Sequence, residues 1–188
     1  MHSPVTPTRG DSPYSTSERV RRVVWACVGA TLFACSFHNW YGFRRMLLRA
    51  FGARIASSAR IRPSVRVEIP WNLEVGDDSA VGDRAILYCL GPVRIGARVT
   101  ISQGAHLCAG THDYQTPAMA LKRLPITIGD DAWIAAEAFV GPGVVVGEGA
   151  ILGARSVAMR DLAPWGIYSG HPAVRVRDRA KEKTRPGC

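Results

Sequence analysis

An aliphatic residue recurs every six positions along most of this chain, and few backbones satisfy that spacing. The series runs Ile55, Ile61, Val67, Leu73; then Val75, Val81, Leu87, Val93; then Ile95, Ile101, Leu107. It resumes as Ile128, Ile134, Val140, Val146 and Leu152. All sixteen are Ile, Leu or Val, although those types fill only 40 of the 188 positions, so chance does not explain them. Gly or Ala often follows the aliphatic, as in VGDDSA, IGARVT, IGDDAW and VGEGAI. The fifth position is mostly small: Ala59, Ser79, Ala85, Ala105, Ala132, Ala138, Ala150, Ser156. A period of six is neither 3.6 nor 2, so no helix or flat sheet gathers these residues on one face. A short strand followed by a turn does, if the chain bends by about 120° every six residues. Three units then close a coil, and coils stack at roughly the 4.8 Å strand spacing. The aliphatics point inward, the small residues fill corners, and the Gly or Ala beside each aliphatic suits a tightly bent backbone. The expectation is a mainly β chain, a parallel β-helix over residues 53–160.

The rhythm breaks once, in LCAGTHDYQTPAMALKRLPITIG (Leu107–Gly129). The excursion, placed at 113–125, does not fit inside a close-packed prism and must project from it as a loop. His112 stands at the break. Around the β-helix the chain divides into a flexible tail (1–17), a helical segment (18–52) and a C-terminal extension with a basic tail (161–188).

The net charge of +9 is uneven. Residues 1–52 hold seven Lys/Arg against two acids, residues 171–188 six against two, and the rest is neutral. That distribution fits attraction to phosphates or an anionic membrane better than a nucleic-acid-reading face, so no nucleic-acid partner is expected. Val23–Phe43 holds no charged side chain over 21 residues. It reads as one or two helices packed on the body, as a helix lying in a membrane interface, or as a short span. Five irregularly spaced cysteines without a CxxC fit small core residues and thiols of a reducing cytoplasm, not a disulfide frame or a zinc site.

The segment PITIGDDAWIAAEAFVGPGVVVGEGAILGARSVAMRDLAPWGIYSGHPAVRVR resembles the hexapeptide-repeat acyltransferases, specifically the galactoside, maltose and nodulation O-acetyltransferases. With PWNLEVGDDSAVGD and ISQGAHLCAGTHDY added, the chain is most similar to the WcaF-like colanic-acid-biosynthesis group. The resemblance spans about residues 19–177. It implies a left-handed coil, a homotrimer with sites between neighbouring prisms, and transfer of acetyl from acetyl-CoA to a hydroxyl of a sugar or polysaccharide precursor. It assigns His112 as general base, a role that suits imidazole because it titrates near neutral pH. Asp113 is a candidate to orient the ring. For coenzyme A it points to Trp133, Ala136, Ala154, Met159, Arg160 and Arg177, with the arginines on phosphates. No metal is expected. The basic, apolar N-terminal segment makes a lipid-linked saccharide acceptor, met at the inner face of the cytoplasmic membrane, a further expectation. Two features depart from the family pattern. No Asn follows Asn72, which leaves the oxyanion stabiliser open, with a backbone N–H or the Ser102/Gln103 region as candidates. GHP at 170–172 replaces the usual Gly-Asn/Val-Pro. The same prism also serves γ-type carbonic anhydrases, which need three converging histidines, and trimeric scaffolds without chemistry.

Overall fold

The computed structural model describes residues 14–180; residues 1–13 of the expected flexible tail (1–17) and residues 181–188 of the expected C-terminal extension (161–188) lie outside them. Helix α1 (Thr16–Val28) begins at Ser15, whose hydroxyl accepts from the Glu18 N–H, and continues through a π-helical turn, Gly29–Phe33. A short turn leads to α2 (Tyr41–Ala50). The rest is a parallel β-helix of two- and three-residue strands, finished by a longer antiparallel pair, Gly166–Gly170 with Ala173–Asp178.

The six-residue rule translates into three stacked faces. Face A joins Arg54–Ile55, Leu73–Val75, Val93–Ile95, Ile126–Ile128 and Val145–Val146. Face B joins Arg60–Ile61, Ala80–Val81, Thr100–Ile101, Trp133–Ile134, Ile151–Leu152 and the terminal pair. Face C joins Arg66–Val67, Ile86–Tyr88, His106–Cys108, Phe139–Val140 and Val157–Ala158. Ile61 pairs with Val81, Val81 with Ile101, Ile101 with Ile134, and Ile134 with Leu152, so one aliphatic column runs the length of the face. All sixteen repeat aliphatics and all eight small residues are buried.

The corners correct one detail of the sequence reading. The glycine beside the aliphatic is not where the chain turns left-handed. That conformation falls two residues later, at Asp78, Arg98 and Asp131 between faces A and B, and at Arg84, Glu137 and Arg155 between faces B and C, with φ of 56–59°. Glycine is needed at Gly76 because the next coil passes close: a Cβ there would lie 2.6 Å from the carbonyl carbon of Gly96. The constraint is coil-to-coil contact.

The projecting excursion is also more ordered than a loop. Gly110–His112 pairs antiparallel with Leu121–Arg123, so it is a β-hairpin leaving the corner between faces C and A.

Candidate active site

His112 closes the hairpin ladder opposite Leu121. Its Nδ1 lies 2.6 Å from the carbonyl oxygen of Met119. A carbonyl only accepts, so Nδ1 carries a proton and donates it there, and in a neutral ring Nε2 is then the nitrogen with the lone pair. Met119 has a φ of +49°. Such a conformation is costly for a non-glycine residue and persists only where its surroundings impose it. The ring is exposed and its orientation is fixed by backbone.

Asp113 does not fill the orienting role. Its carboxylate pairs with Lys122 Nζ at 3.2 Å, and its N–H bonds the Ala120 carbonyl at 2.8 Å. The Met119 carbonyl was not visible in the sequence, because no side-chain pattern marks a carbonyl acceptor. A second unforeseen element ties the hairpin to α1. Arg123 lies over the Tyr14 ring, 4.4 Å from its centroid, and 3.6 Å from the Glu18 carboxylate.

The residues predicted for coenzyme A fall into two groups. Trp133 stands on face B, 44% exposed, its indole N–H donating to Ser102 Oγ at 2.9 Å. Trp133 pairs with Ile151, Ile151 with Ile167, and Ile167 with Arg177. This row crosses three strand spacings, about 14 Å. Ala136 and Ala154 sit beside it at the corner between faces B and C, where Arg155 N–H bonds the Ala136 carbonyl. Met159 and Arg160, both exposed, lie at the corner between faces C and A, the one the hairpin leaves. Within one chain, His112 and Trp133 therefore occupy different sides of the prism.

Two other histidines are placed elsewhere. His106 is on the strand at mid-face C, edge-on to Phe139 with ring centroids 5.2 Å apart. Burial, with a smaller contribution from the Arg66 charge, pushes its pKa below the usual imidazole value. Its Nε2 is buried without a hydrogen-bond partner. His38 meets Arg62 near α2. Among the described residues no three His, Cys, Asp or Glu side chains gather as a metal site.

A parallel coil of this six-residue period is the architecture that the hexapeptide-repeat transferases share. The family model "Bacterial transferase hexapeptide (six repeats)" matches residues 125–157. The chain is 43% identical over 158 residues to WcaF of Escherichia coli strain K12, named as a candidate colanic acid biosynthesis acetyltransferase; the match covers 84% of this chain and 87% of the relative. It belongs to the hexapeptide-repeat acetyltransferases. It is also 25% identical over 138 residues to the galactoside O-acetyltransferase of the same strain, covering 72% of this chain and 68% of that one. A hexapeptide-repeat acetyltransferase of Vibrio cholerae O1 biovar eltor, solved with acetyl-CoA, shares the fold at a TM-score of 0.79 and 24% identity, covering 90% and 93% of the two chains.

Proposed function

We propose that the protein transfers acetyl from acetyl-CoA to a hydroxyl of a sugar or polysaccharide precursor, with His112 as general base. The observation that carries this is the hydrogen bond from Nδ1 to the Met119 carbonyl, which in a neutral ring leaves Nε2 as the nitrogen able to take a proton. The acceptor oxygen attacks the thioester carbonyl as its proton passes to Nε2. The tetrahedral intermediate collapses with release of the CoA thiolate, which recovers that proton from the imidazolium. The products are the acetyl ester and coenzyme A, with no acyl-enzyme.

The row Trp133–Ile151–Ile167–Arg177 supports a lane for an extended donor along the prism axis. The thioester end lies by Trp133, the pantetheine passes the small side chains of Ala136 and Ala154, and the phosphates lie toward Arg177. Because His112, Met159 and Arg160 leave from a different corner, the complete site joins the hairpin side of one subunit to face B of the next. A closed ring of three copies repeats that contact, a homotrimer. The acceptor is proposed to be lipid-linked and to be met at the cytoplasmic face of the membrane. Turnover of acetyl-CoA against a panel of sugars, nucleotide sugars and lipid-linked saccharides tests the reading. Ester formation with one class supports it, and CoA release without any acetylated acceptor contradicts it.

A further inference from the structure

The exposed face of a helix on a globular body normally carries charge. Here it does not. From Val23 to Phe37 no side chain is charged, and the exposed positions include Val23 (63%), Val24 (48%), Leu32 (54%) and Phe37 (71%). Trp25 and Phe33 have turned inward, Trp25 donating to the Val67 carbonyl at 2.7 Å. The segment therefore keeps one apolar side for the prism and presents a second outward. No helix among the described residues is long and apolar enough to cross a bilayer.

The turn between α1 and α2 sharpens this surface into a knob. Phe37 packs against Trp40, and Trp40 against Phe43, with centroids 5.0 and 5.8 Å apart, while Phe37 and Trp40 remain mostly exposed. A fully buried arginine holds the turn. Arg44 donates to Ser36 Oγ and to the carbonyls of Phe37, His38 and Ile61, at 2.7–2.8 Å. Burying a guanidinium among carbonyls is costly, and desolvation lowers its pKa. The result is a pre-shaped pair of protruding aromatics.

The surrounding charge selects the occupant. Of the ten arginines in residues 14–66, Arg22 and Arg66 pair with Glu68, Arg54 with Glu74 and Arg62 with Asp83. Arg19, Arg21, Arg45 and Arg49 are held by backbone carbonyls, which orient a guanidinium without neutralising it. An apolar strip, an aromatic pair of headgroup-depth type and a cationic border match an anionic bilayer surface. A second copy of the chain would bring the same arginines against one another.

We propose that α1 and the Phe37–Trp40 knob seat the protein on an anionic membrane surface. This deepens the lipid-linked acceptor reading by naming the surface that meets the membrane. Glu18 and Arg123 join the same helix to the hairpin that carries His112, so the seat touches the element that holds the proposed base.

The test is co-sedimentation of the full chain with vesicles of equal parts phosphatidylglycerol and phosphatidylcholine, and with phosphatidylcholine alone. The intact protein is expected to sediment with the anionic vesicles only, and less so as salt rises. Phe37→Ser with Trp40→Ser is expected to lose about tenfold or more in partition. Leu32→Glu, a second exposed position, is expected to act in the same direction. Tm and the mass in solution are unchanged in both. Failure to sediment, or equal sedimentation by the variants, overturns the proposal. So does a change of oligomeric mass in either variant, since a second copy would then cover the patch. The rise in Tm caused by added coenzyme A is read separately on the same proteins. It reports the acyl-donor reading, so the two ideas fail independently.

Discussion

The prism and the hairpin obey different rules. In the prism every inward residue is repeated by its neighbours above and below, and Leu107 rests between Leu87 and Val140. In the hairpin nothing repeats. The ring of His112, the proposed base, is held by a single carbonyl, and the outer strand by Arg123 against Tyr14 and Glu18. Redundant packing gives a stiff scaffold that tolerates local change, whereas a feature built from a few unrepeated contacts concentrates consequence in single residues.

That contrast predicts where substitutions act. His112→Ala is expected to lower acetyl transfer by several hundredfold or more, with Tm nearly unchanged because the ring is exposed. Activity retained within about tenfold breaks the assignment of the base. Leu107→Ala, one residue type away from the repeat, is expected to cost about 2–5 kcal/mol in urea denaturation. A loss under about 1 kcal/mol would mean that the column does not bear on stability. Arg123→Ala is expected to reduce kcat by about three- to tenfold, with KM for acetyl-CoA held, since it loosens the hairpin without touching face B. A rise in KM alone would place Arg123 in donor binding instead.

The smallest effect concerns pH. His106 is held neutral by burial in the folded state, so the unfolded chain binds more protons below the ordinary imidazole pKa. The stability that this ring contributes is therefore complete above about pH 6.5 and declines as pH falls through that value toward the lower native one. His106→Gln is expected to shrink the drop in urea midpoint between about pH 7.5 and 5.5. An unchanged drop removes His106 as its source.

The two regions also differ in how far the sequence spoke for them. Ile134 announces its own place, because its spacing to Ile128 and Val140 is the geometry of a coil. The left-handed corners at Asp78 or Glu137 were not legible, because the six-residue spacing shows that a bend exists without showing which residue makes it. His112 was recognisable by standing where the rhythm stops. Its partner was not, since the Met119 carbonyl leaves no trace in residue type, and sequence adjacency drew attention to Asp113 instead. The pairing of Arg123 with Glu18, 105 positions away, is likewise set by the way α1 lies along the prism and not by either residue's neighbours.

The claim that the site is shared between subunits is open to direct test by complementation. Two inactive proteins are prepared, His112→Ala and Ala136→Trp, the second blocking the donor lane on face B. They are unfolded together in equal amounts, refolded, and assayed for acetyl transfer. If one subunit supplies the base and the next supplies the donor lane, random mixing restores intact sites at about one quarter of the wild-type level. If both residues serve the same site within one chain, the mixture stays as inactive as its parents.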